Sequence, residues 1–81
     1  MIHHRLGRHW ELFRRTILAP AGATAHQVRE MRRAFYAGAA SCFEVQIREI
    51  AALSDEDAER AMSALNDEFV EFGEAIRKGR A

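Results

Sequence analysis

Four histidines, one cysteine, a ridge of glutamates and a set of arginines are the side chains here that could do chemistry. His3, His4, His9 and His26 invite a metal reading. A zinc site wants ligands on a fixed scaffold, commonly at helical i,i+4 spacing or in short cysteine–histidine knuckles. None of the four has a cysteine or carboxylate partner at a matching spacing, and His3 and His4 stand in a terminus expected to fray. They read as solvated histidines, and neither a metal nor a cofactor is expected. Cys42 lies among alanines on an apolar face, whereas a reactive thiolate needs cationic neighbours and exposure. It reads as inert. As the one cysteine it leaves no internal disulfide, which fits a reduced, cytoplasmic protein.

Glu68, Glu71 and Glu74 form an acidic ridge off the apolar stripe of the last third of the chain. Carboxylates do acid–base work only within a cleft, and a ridge of this kind is a solvated face. No GxSxG, Walker loop, GxGxxG or HExxH is present. The chain therefore presents no catalytic residue, and no enzymatic activity is expected. Arg29, Arg32 and Arg33, with Arg5, Arg8, Arg14 and Arg15, could touch phosphates, in which case affinity would fall steeply with salt. Helix-turn-helix readers, however, present polar side chains from a short second helix. The arginines here precede and open a long helix whose spare apolar strip points to protein. Nucleic-acid binding by the arginine-rich first third is the alternative; a protein partner is the first expectation.

The elements that carry these residues are helical. The chain has 81 residues, with 12 basic and 12 acidic side chains and a formal charge of zero. That length sets one domain, 1–81, with a small core and marginal stability unless something helps. Its fifteen alanines and one proline argue against a β fold. No run approaches a membrane span, and the opening MIHHRLGRHW lacks the apolar centre of a signal peptide. Charge is uneven: residues 1–33 hold seven arginines against Glu11 and Glu30, a net of +5, and residues 34–81 a net of −5. Such halves attract each other.

Three helices are predicted, over about 6–18, 24–53 and 55–78. In the first, Leu6, Trp10, Phe13 and Ile17 recur at helical spacing, and Pro20 stops it. The second opens at Thr24 as N-cap with Gln27 as capping-box partner and would span about 45 Å at about 1.5 Å per residue. One of its faces collects Val28, Met31, Phe35, Ala39, Cys42, Gln46, Ile50 and Leu53. A second strip holds Tyr36, Ala40, Phe43, Ile47 and Ala51. Gly38, mid-helix at a cost of about 1 kcal/mol, marks a close crossing. Ser54 caps the third helix ahead of three acidic residues, and Gly79 ends it. Helices two and three fold back as a hairpin, with Leu65, Phe69 and Phe72 covering the Phe35–Ile50 face.

One stripe on helix three and a short helix one cannot cover both strips of helix two. The sequence thus predicts an all-α fold, a short helix plus a long antiparallel hairpin, pairing as a homodimer with a four-helix core. Tyr36, Gly38, Ala40, Phe43 and Ile47 are the expected interface.

The run Arg32-Arg33-Ala34-Phe35-Tyr36-Ala37-Gly38-Ala39, with Trp10 and Phe13-Arg14-Arg15 upstream and a closing acidic helix, resembles short, functionally uncharacterised helical proteins of phages and prophages. The likeness covers most of the chain. Its motif is a helix-packing pattern and carries over no functional residue. It implies a phage or prophage origin and an accessory or regulatory factor that binds a host or phage protein.

Overall fold

The computed structural model describes residues 3–81 and is all-α, with three helices and no strand among the described residues. Helix α1 (Arg5–Phe13) is prolonged by a π-helical segment, Arg14–Leu18; α2 (Ala25–Glu44) is prolonged by another, Val45–Ile50; α3 spans Asp55–Arg77. Helix α2 with its extension closes at Ile50, short of Leu53, which is already in the following turn. No helix among the described residues is long and apolar enough to cross a membrane. The chain divides into two compact units, one ending at Ala40 and one running from Ser41 to Ala81.

In the first unit the boundaries are made by local hydrogen bonds. Thr24 and Gln27 satisfy each other: the Gln27 N–H donates to Thr24 Oγ1 at 3.1 Å, and the Thr24 N–H donates to Gln27 Oε1 at 2.9 Å. Two otherwise orphaned donors at the start of α2 are thereby paired, a complete capping box.

The first helix ends at Leu18, two residues before Pro20, as the sequence reading expects. A turn then runs on to Gly22, whose φ of 75° only glycine adopts cheaply. There the Gly22 N–H donates to Ala19 O (3.0 Å) and the Ala23 N–H to Leu18 O (3.1 Å), the paired bonds of a Schellman ending. The helix widens as it approaches Pro20: Ala19 N–H donates five residues back to Arg14 O at 2.8 Å. A proline ring crowds the carbonyl four residues earlier, and a π-helical turn opens room there.

That widening moves the apolar register by one residue. Trp10 is 4% exposed and Phe13 half-buried, as the stripe requires, but Ile17 is 54% exposed and Leu18, at 7%, takes the inward position. Around Trp10 the core is aromatic. Its ring centroid lies 6.0 Å from Phe13 and 5.5 Å from Phe35, and Phe35 lies 6.2 Å from Phe13 and 5.7 Å from Tyr36.

In the second unit Ser54 Oγ accepts the Asp57 N–H at 3.2 Å, and Asp55, Glu56 and Asp57 fill the first turn of α3, where the helix dipole favours negative charge. Gly79, at φ 73°, closes α3 with a second Schellman pair: Arg80 N–H to Ala75 O (2.8 Å) and Gly79 N–H to Ile76 O (3.0 Å). The hairpin packs near its turn, where Ile50 is buried beside a hollow of about 410 Å³ lined by Val45, Leu53, Ala61, Ala64 and Leu65.

Cover by α3 stops at Leu65. Phe69 and Phe72, expected to lie over the apolar face of α2, are 58% and 60% exposed. Within this unit the packing of α3 on the Val45–Ile50 segment lies in its first half, around Ala61 and Leu65.

Candidate functional site

Two surfaces gather the residues singled out by the sequence. The first is a basic groove in the first unit. Arg8 of α1, Arg15 of its π-helical extension and Arg32 of α2 line a hollow of about 760 Å³, and Arg29, Arg32 and Arg33 of α2 line a second of about 540 Å³; Tyr36 and His4 border both. The periodicity of α2 sets Arg29, Arg32, Arg33 and Tyr36 three or four residues apart, on adjoining turns of one side. The Arg32 guanidinium stands 5.5 Å from the Tyr36 ring centroid, a cation–π contact that fixes it along the groove wall.

The two carboxylates of this unit are already engaged. Glu11 pairs with Arg14 at 2.9 Å and Glu30 with Arg33 at 3.3 Å. The hydrogen bond from Arg14 holds the Glu11 carboxyl below its ordinary range; desolvation opposes this, and the charges of Arg14, Arg15 and Arg32 reinforce the lowering. Arg14 is correspondingly raised by the same hydrogen bond and charge. Among the described residues Arg8, Arg15, Arg29 and Arg32 have no carboxylate partner. A groove of this composition attracts anions.

The groove also depends on a residue that sequence reasoning passed over. A Cβ on Gly7 would stand 3.5 Å from Tyr36 Oη and 3.4 Å from His4 Cβ, so Gly7 is where α1 and Tyr36 come together. The available signal was a glycine one turn before Trp10. Gly38, which the sequence marks for a close crossing, has nothing within 4 Å of an added Cβ among the described residues.

The second set is the expected interface residues of α2. In the first unit Gly38 and Ala40 are exposed and Tyr36 is half-buried at the groove; in the second unit Phe43 and Ile47 are exposed. The other face of the helix is the better covered one: Val28, Phe35, Ala39, Cys42 and Gln46 are half-buried and Ile50 is buried, although Met31 and Leu53 are exposed. Cys42 is free and half-buried, its Sγ accepting a long 3.9 Å hydrogen bond from Gln46 Nε2.

The remaining residues do not converge. His3, His4, His9 and His26 are exposed, and no group of three or more His, Cys, Asp or Glu is placed to hold a metal ion among the described residues. Glu74 pairs with Arg77 and, at 3.9 Å, with Lys78, whereas Glu68 and Glu71 are exposed beside Phe69 and Phe72. Comparison with protein-family models, curated proteins and solved structures finds no match to this chain.

Proposed function

We propose that this protein is a small protein–protein interaction module that works as a homodimer, an accessory or regulatory factor without catalytic activity. The observation that carries this reading is the balance of apolar burial. Among the described residues three large apolar side chains are buried (Trp10, Leu18 and Ile50), while twelve are between 38% and 60% exposed. Large apolar side chains are thus more often exposed than buried, and soluble monomers rarely leave a large apolar patch in water. A twofold partner is the economical cover, because one strip meets its own copy. Phe43 and Ile47, with Ala40 and Tyr36, form the strip offered to it; Gly38 stands on the other side of the helix.

The likeness to phage and prophage proteins supports a phage or prophage origin, with a host or phage protein as a further partner, acting in the cytoplasm where a lone cysteine stays reduced. Sedimentation equilibrium at micromolar concentration tests the reading: a dimer of the 9.2 kDa chain is expected, and a single monomeric species would reject it. A second reading, nucleic-acid binding, is favoured by the grouping of Arg8, Arg15, Arg29, Arg32 and Arg33 about one groove. Titration with duplex and single-stranded DNA at low and high salt tests it, since phosphate contacts require a steep loss of affinity with salt.

A further inference from the structure

The ion pairs leave a specific residue of unused charge. In the first unit both carboxylates, Glu11 and Glu30, are paired, and Arg5, Arg8, Arg15, Arg29 and Arg32 are without carboxylate partners among the described residues. In the second unit Arg48, Arg60, Arg77 and Lys78 are all paired, and Glu49, Asp55, Glu59, Asp67, Glu68 and Glu71 are without cationic partners among the described residues. Unpaired charge is thus sorted by sign between the units, positive before Ala40 and, Arg80 apart, negative after it.

Each set of charges surrounds exposed apolar side chains. On α1, Leu12 is exposed and lies one helical turn from both Arg8 and Arg15, on the side of the helix away from Trp10. On α3, the exposed rings of Phe69 and Phe72 alternate with Glu68 and Glu71 and line a hollow of about 450 Å³ with Ala75. One face is apolar and basic; the other is apolar and acidic.

We infer that the Arg8–Leu12–Arg15 face of α1 and its π-helical extension seats on the Glu68–Phe69–Glu71–Phe72 face of α3 in a second copy of the chain. The inference rests on the homodimer reading and assigns it a contact. Each chain carries both faces, so a twofold axis makes the contact twice. Complementary charge fixes which faces meet, and the rings and Leu12 lose their exposure. A phosphate polymer is the poorer occupant. It would satisfy the arginines but leave Leu12, Phe69 and Phe72 uncovered, and the unpaired carboxylates of the same chain would repel it.

A charge exchange tests the contact. Arg8→Glu with Arg15→Glu makes one variant chain, and Glu68→Arg with Glu71→Arg makes another. Alone, each places like charges opposite each other, and its dimer dissociation constant should rise roughly 100-fold. Mixed in equal amounts they restore opposite charges at both symmetry-related contacts, so sedimentation should show a mixed dimer of about twice 9.2 kDa. Circular dichroism of each variant verifies folding, and the milder pair Arg8→Gln with Arg15→Gln replaces any variant that does not fold, with a smaller loss expected. If the variants dimerise as tightly as wild type, or the mixture stays monomeric, this contact is wrong while the homodimer stands. If wild type is itself monomeric, the homodimer reading fails and this inference with it. A monomer that retains DNA through Arg8 and Arg15 identifies nucleic acid as the occupant.

Discussion

The indole of Trp10 meets the ring of Phe35 edge-on, centroids 5.5 Å apart and planes inclined at 60°. This joins α1 to α2 in the first unit, with Phe13 beside both rings. Edge-to-face pairs add about 0.5–1.5 kcal/mol beyond the area they bury. Trp10→Ala should therefore cost about 3–5 kcal/mol, enough to unfold a domain of this size. A thermal melt within a degree or two of wild type would show that Trp10 is not the centre of this core.

Gly7 and Gly38 should respond with opposite signs to a large side chain. At Gly7 an added methyl makes ordinary contacts with Tyr36 and His4, so Gly7→Ala should stabilise by up to about 1 kcal/mol, while Gly7→Leu pushes Tyr36 aside. At Gly38 nothing within the described chain opposes leucine. Gly38→Leu should strengthen the helix yet weaken the dimer if two chains cross there. Paired melting and sedimentation measurements separate the effects; greater stability with an unchanged oligomer would end the crossing idea.

Phe43→Glu or Ile47→Glu should convert dimer to monomer with helix content preserved. Both side chains are at least half exposed in the single chain, so the charge disturbs no intrachain core. Buried between two copies, an unpaired carboxylate costs several kcal/mol. A variant that remains dimeric would move the interface off this strip.

The Glu11–Arg14 pair predicts a pH response. The folded-state pKa of Glu11 lies below its ordinary value, chiefly through the Arg14 hydrogen bond. The pair's contribution is therefore present above the unfolded pKa and is lost as pH falls through the depressed folded value. In Arg14→Ala the Glu11 titration, followed by carbon-detected NMR, should shift upward towards the ordinary carboxylate range; an unmoved midpoint would sink the assignment.

Gly22 should resist substitution more than any helical glycine, because at φ 75° a Cβ meets its own backbone whatever space lies around it. Gly22→Ala should cost about 1–2 kcal/mol. Chemical denaturation of this variant beside Gly73→Ala, which stands inside α3 with open space around it, measures the difference.

The three helices, the Thr24–Gln27 capping box, the Ser54 cap and the Gly79 ending were legible in the sequence because each is made by hydrogen bonds between residues no more than five apart. So was the excess of apolar surface on α2, since a stripe is a matter of spacing, and so was the grouping of Arg29, Arg32 and Arg33 on one stretch of helix. Tertiary structure decided the rest. The π-helical turn before Pro20 put Leu18 inside and Ile17 outside, a one-residue shift that a constant 100° per residue does not contain. Only the packing of α1 on α2 brought Arg8 and Arg15 to the arginines of α2 and set Gly7 against Tyr36. Those neighbours are separated by fourteen or more residues, and the path of the turn between them, rather than the pattern within either helix, determines which side chains meet.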